Sequence, residues 1–251
     1  MAAGRSLRWT PGGRVWQEQR GRGRLAPRRH VRANDEPNFL YLFSGLLALL
    51  VGAPIVNAML GRPTVLVGLA MHSLLLLTGV WTLAGSRRLF AVGILLSLAS
   101  VGTTALATVR TTPSVSLASG AIAWTFCLLT AVLCVRCMFA RARVTANHLL
   151  GATCVYLLLG VLWGLAYGML HLLRTDSFRA ADPGDAIQID DLMYFSFVTL
   201  TTTGFGDIVP VDRLVRTLVY LEGVAGQLYV AILVATLVSQ YVAPVREPPS
   251  P

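Results

Sequence analysis

Lysine is absent from this chain of 251 residues, and no Asp or Glu occurs between Pro37 and Thr175. Charged residues make up only 13%, where a soluble domain carries about a quarter. With 55% apolar residues, such a surface cannot be wetted, which excludes both a soluble enzyme and a disordered protein. Cysteine is scarce too: Cys127, Cys134, Cys137 and Cys154 all fall in apolar stretches. They read as buried structural thiols rather than a disulfide or metal pair. No Ser/His/Asp set, metal cluster or phosphate loop is present, so neither catalysis nor a cofactor is expected. The missing lysine reflects genome composition rather than chemistry.

Arginine supplies all 21 basic charges, and nine of them lie in the first 36 residues. Residues 1–36 are rich in Arg, Gly and Pro without apolar periodicity, so a disordered tail is expected. They lack the short apolar core of a signal peptide. Beside a membrane protein, such a tail reads as an anchor on anionic cytoplasmic lipid rather than a nucleic-acid arm. From Phe39 onward, six windows approach or exceed the roughly 20 apolar residues that span a bilayer: Phe39–Leu60, Thr64–Ala84, Leu89–Val109, Val115–Ala140, Ala146–Leu173 and Leu214–Val242. An all-α membrane protein with six transmembrane helices is expected, the first kinked at Gly52 and Pro54. With the N-terminus inside, fifteen Arg fall on the cytoplasmic side and six outside. Both termini are therefore expected in the cytoplasm of a multi-pass protein in the cell membrane.

The acids crowd where the first part of the chain has none. Asp176, Asp182, Asp185, Asp190, Asp191, Asp207 and Asp212 all lie between the fifth and sixth windows. On the outside they would concentrate cations, although an ordinary solvated loop accounts equally well for Asp176, Asp182 and Asp185. The same loop holds a second apolar stretch, Leu192–Leu200, too short to cross and of a length that suits a re-entrant helix capped by Asp190 or Asp191. It runs directly into Thr201-Thr202-Thr203-Gly204-Phe205-Gly206-Asp207. Non-helical backbone survives at membrane depth only when buried in protein or lining a wet cavity. Gly204 and Gly206 permit conformations in which successive carbonyls point to one side.

Here the sequence resembles the potassium-channel pore family, whose filter typically reads Thr-Val-Gly-Tyr-Gly. The matching residues are Thr202-Thr203-Gly204-Phe205-Gly206, flanked by Thr201 and Asp207 as filter support. Thr203 and Phe205 depart from that pattern. The resemblance covers roughly Tyr156–Val242. It implies K⁺ held by the backbone carbonyls of Thr202, Thr203, Gly204 and Phe205 and by the Thr202 hydroxyl, with K⁺ as permeant ion. It also implies a homotetramer, because a filter takes four loops. Gly226 lies 20 residues after Gly206, the spacing of a gating-hinge glycine in many such channels; a small residue for close helix packing is the equal alternative. Gln227, Val230, Val234 and Val238 form a stripe expected to face the cavity. Glu222, an acid within a span, is expected to brace the pore helix.

The chain divides into a basic tail (1–36), a four-helix membrane region without a charged voltage sensor (37–145), a pore domain (146–243) and a short cytoplasmic end (244–251). The fourth window carries only Arg136, at its inner end, and no acid lies in the first three. Strong voltage gating is therefore not expected. Nine residues follow Val242, so no cytoplasmic regulatory domain is expected. His72, in mid-window, reads as an interhelical hydrogen-bonder before a proton sensor. The readings that stand beside a K⁺-selective channel are a weakly selective cation channel and a non-conducting modulatory membrane subunit. A secondary transporter would need paired broken helices in two repeated halves, which are missing.

Overall fold

The computed structural model describes residues 39–60, 73–79, 87–109, 112–139, 145–174, 176–181 and 186–242. The tail 1–36, most of the second apolar window with His72, and residues 244–251 lie outside the described residues. The elements are α1 (Phe39–Leu47), α2 (Ala53–Met59), α3 (residues 73–79), α4 (Arg87–Val109), α5 (Pro113–Phe139), α6 (Ala146–Leu173), β1 (Phe178–Ala180), α7 (Ile189–Leu200), β2 (Ile208–Pro210) and α8 (Arg213–Val242). Among the described residues, four helices are long and apolar enough to cross a membrane: Phe39–Val56, Pro113–Met138, Ala146–Leu173 and Arg213–Ser239. The apolar part of α4, Phe90–Leu106, is shorter. The chain is thus a mostly helical membrane protein.

The break expected at Gly52 and Pro54 takes the form of a π-helical turn, Ala48–Gly52, between α1 and α2, with Pro54 in the first turn of α2. Proline lacks an N–H and crowds the carbonyl four residues back, and a widened turn relieves both problems. α1 then docks on the start of α6. The Phe39 N–H donates to Asn147 Oδ1 (3.1 Å), and the Phe39 ring fills the space left by the missing side chain of Gly151. Leu42, Leu46, Leu75, Leu76, Phe126 and Leu158 join α1, α3, α5 and α6 in one apolar core. Cys127, Cys134 and Cys154 are buried, Cys137 is half-buried, and all four are free thiols.

The later half of α6 receives α7. Gly160, Gly164 and Gly168 recur every fourth residue, on one face of the helix, and they meet Phe197, Met193 and Ile189 respectively. As numbers fall along α6 they rise along α7, so the two helices run antiparallel. The fit depends on the absent side chains: a Cβ on Gly164 would sit 3.0 Å from the Met193 Cα. Small residues at such a seam let helices approach closely where burial of apolar surface gives little drive.

A small ribbon closes the far end. β1 pairs antiparallel with β2, Arg179 opposite Val209. Asp212 caps α8, accepting from the N–H of Leu214 (2.7 Å) and Val215 (3.3 Å), and its other oxygen accepts from Arg174 (2.9 Å). Desolvation alone would raise the Asp212 pKa, but the two N–H groups and the Arg174 guanidinium together outweigh it and hold the carboxyl below its usual value.

Two outcomes follow from this packing. Gly164→Ala should lower the thermal midpoint of the purified protein, since overpacking costs about 1–3 kcal/mol. Gly102→Ala, whose added Cβ meets nothing within 4 Å, should raise it slightly through helix propensity. Equal shifts at the two sites would contradict the seam. For Asp212, a depressed folded pKa means stability that is present above the ordinary carboxylate value of 3.8 and lost as pH falls below it. Asp212→Ala should flatten that part of the acid limb in a pH series of melting curves; an unchanged acid limb would contradict the cap.

Candidate functional site

α7 is 12 residues long, about 18 Å at 1.5 Å per residue, so it reaches only partway through a 30 Å hydrocarbon core. Its N-cap is Gln188 rather than Asp190 or Asp191. Asp191 acts instead from the third helical position, where its carboxylate accepts from the Gln188 N–H (2.8 Å). This reciprocal arrangement lets an acid serve the helix start without occupying the cap position.

The middle of α7 is fixed by a polar contact inside the protein. Glu222 of α8 is completely buried. Its Oε2 accepts from the Tyr167 hydroxyl of α6 (2.7 Å). Its Oε1 lies 2.5 Å from the Ser196 hydroxyl of α7, which is also 2.8 Å from the Gly160 carbonyl, with one proton to share between them. Three helices thus meet at one carboxyl group. Around it Tyr167, Phe178 and Phe195 contact one another edge to face, and Leu192 and Val215 complete the apolar cluster.

A helix ends with four carbonyls that lack helical partners, and here each is met. The Phe197 carbonyl takes the N–H and hydroxyl of Thr201. Val198 takes the N–H of Thr203 and, at 3.4 Å, of Gly204, and Thr199 takes that of Thr202. Leu200 accepts from the Tyr156 hydroxyl (3.3 Å). The N–H groups of Thr202, Thr203 and Gly204 therefore face back into α7. Among the described residues, no hydrogen bond ends on the carbonyls of Thr202, Thr203, Gly204 or Phe205.

The dihedral angles of this turn alternate in sign. Thr202, Gly204 and Gly206 have φ of 58°, 57° and 79°, while Thr203 and Phe205 between them are negative. In an ordinary strand successive peptide groups alternate sides. Reversing φ at every second residue turns alternate peptide planes over, so that successive carbonyls can share one side. Glycine adopts positive φ without strain, whereas a β-branched residue does so only under constraint. Thr202 is that case. Residues Thr201 to Asp207 are all exposed in the single chain, and no atom would lie within 4 Å of a Cβ on Gly204 or Gly206. The Asp207 carboxylate accepts from the Ile208 N–H (3.1 Å), and its carbonyl accepts from the Ala181 N–H at the β1–β2 ribbon.

α8 runs alongside α7 in the same direction. Glu222 meets Ser196, Gly226 lies against Leu200, and the Gln227 Nε2–H donates to the Thr202 hydroxyl (3.2 Å). Gly226 is buried, and a Cβ there would collide with the Leu200 carbonyl oxygen, so its small size is used in close packing. Gln227, Val230, Val234 and Val238 are all exposed, but so are Leu228 and Ile232. Burial within one chain does not single out the stripe; the Gln227 bond does turn its upper end toward the Thr201–Asp207 turn. The glycine seam of α6 and the partners of Glu222 went unread in the sequence. The four-residue glycine spacing was a visible signal for the first.

Residues 143–243 match a family model described as Ion channel. The inward rectifier potassium channel Kirbac3.1 of Paramagnetospirillum magnetotacticum is 33% identical over 92 residues, which are 37% of this chain and 29% of that relative. The chain thus spans less than a third of that protein's length. No solved structure matches. The matches point to a channel rather than an enzyme: over residues 143–243 this chain is similar to ion channels, and within its length it shares a stretch with a potassium channel.

Proposed function

We propose that the protein is a K⁺-selective channel that conducts passively as a homotetramer and is not strongly voltage-gated. The observation that carries this is the turn from Thr202 to Phe205: φ alternates in sign, the N–H groups of Thr202, Thr203 and Gly204 are spent on α7, and among the described residues four successive carbonyls are left without a protein partner. Oxygens so arranged can replace the hydration shell of a dehydrated cation. In this reading six helices cross the membrane with both termini in the cytoplasm. α7 is the re-entrant pore helix between the fifth and sixth spans, and Thr202 to Gly206 form the filter. Thr201 and Asp207 support the filter, and Glu222 braces the pore helix.

Exposure within one chain supports the tetramer. Phe205 is 70% exposed, and the apolar side chains Leu221, Val224, Leu228 and Ile232 of α8 are uncovered as well. Irregular backbone at membrane depth has to be covered by protein or line a wet cavity, and further copies of this chain supply both. Against a voltage sensor stands α5, whose basic residue is the single Arg136 in its last turn; steep voltage dependence needs several gating charges.

Purified protein in bilayers with asymmetric K⁺ and Na⁺ tests the reading. The reversal potential should follow the K⁺ gradient. A value near zero under bi-ionic conditions would favour a weakly selective cation pore, for which the Thr203 and Phe205 departures speak. No flux at all would favour a modulatory subunit. Gly204→Ala should abolish K⁺ current while the oligomer persists on gel filtration, because an L side chain is strained at its φ of 57°. Open probability should vary gently with voltage, and a steep conductance–voltage curve free of internal blocking ions would contradict the last part of the proposal.

A further inference from the structure

We infer that Gln227 is a specificity-determining positioning residue: its amide holds the Thr202 hydroxyl and so tunes the innermost cation site of the pore. The inference rests on the channel reading above and goes beyond it. Thr202 is a β-branched residue at φ 58°, a conformation the surrounding bonds have to impose. Its N–H is fixed to the Thr199 carbonyl (2.9 Å). Its hydroxyl gives its one proton to the Thr201 carbonyl (2.7 Å) and therefore accepts from Gln227 Nε2 (3.2 Å). Since the proton is already committed, only the NH₂ side of the amide satisfies this contact.

The reach of Gln227 comes from the packing beside it. Gly226, without a side chain, lets α8 lie against the Leu200 carbonyl, two residues before Thr202. A hydroxyl oxygen has two lone pairs. With one accepting the amide N–H, one remains for a cation, and the partial positive charge of the donor sits close to it. Both effects weaken cation binding at this oxygen and fix its direction. In a symmetric assembly the same contact recurs in every copy, around the inner entrance of the filter. Loss of the amide should therefore release the hydroxyl, tighten the innermost site and slow the exit of ions into the cavity.

The test is block of K⁺ current by Ba²⁺ added on the cavity side, comparing wild type with Gln227→Leu and Gln227→Asn in the full chain. Ba²⁺ is close to K⁺ in size and binds the same oxygen-lined sites with twice the charge. Gln227→Leu removes the donor, while Gln227→Asn keeps an amide in the cavity but is one methylene too short to reach. Both should strengthen Ba²⁺ block by about fivefold, the factor corresponding to one neutral hydrogen bond. In a Thr202→Ala background, where the hydroxyl is gone, Gln227→Leu should add nothing. If Gln227→Asn behaves as wild type, cavity polarity rather than the hydrogen bond sets the site, and the inference is overturned. Unchanged block in both single variants overturns it as well; should Thr202→Ala not conduct, the Leu and Asn comparison decides alone. A wild-type protein that passes no K⁺, or that Ba²⁺ does not block, defeats the channel reading and this inference with it.

Discussion

A peptide group in hydrocarbon has to be paired or hydrated, at a cost of several kcal/mol if it is not. The turn from Thr201 to Asp207 meets that demand by division. The N–H groups of Thr201, Thr202, Thr203 and Gly204 are returned to the last carbonyls of α7, and among the described residues the carbonyls of Thr202 to Phe205 accept no hydrogen bond. Such a division works only if α7 stays where it is, for a shift of one residue would unpair the N–H groups of Thr202, Thr203 and Gly204 together. The rest of the pore segment is built to hold that short helix. α6 receives it along a seam of glycines, α8 fixes it through Glu222 and Gly226, and the β1–β2 ribbon ties down the exit of the turn.

The sequence made the long helices legible because length and apolarity are enough to define them. α6 begins and ends at the expected Ala146 and Leu173, and α8 starts one residue before the expected Leu214. The cap of α7 was misread because an aspartate at the third helical position is as well served as one at the cap, and composition does not tell them apart. An acid in an apolar helix announced that Glu222 needs partners, yet Ser196 and Tyr167 lie 26 and 55 residues away. No periodicity spans such distances. For Thr202, a β-branched residue gives no hint of positive φ, since its own preferences oppose that conformation and only its bonds enforce it.

Gly226 illustrates how a spacing can be right and its meaning still depend on neighbours. The interval from Gly206 suits a flexible joint and a packing contact equally. The Leu200 carbonyl, lying where a Cβ would go, makes it a contact between α8 and the end of α7. Bending of α8 at this level therefore disturbs the seat of the pore helix, so flexibility there and stability of the turn are opposed.

The glycine seam also constrains how this chain can vary. Every single-base change of a glycine codon that alters the residue enlarges it. At Gly160 and Gly164 the added atoms would run into Phe197 and Met193. Acceptance then needs a smaller partner on α7 in the same protein, and either change made first leaves a clash or a cavity. Inheritance at this seam is a matter of pairs, so α6 and α7 diverge together or not at all, whereas the side chains on their outer faces are free to drift one at a time.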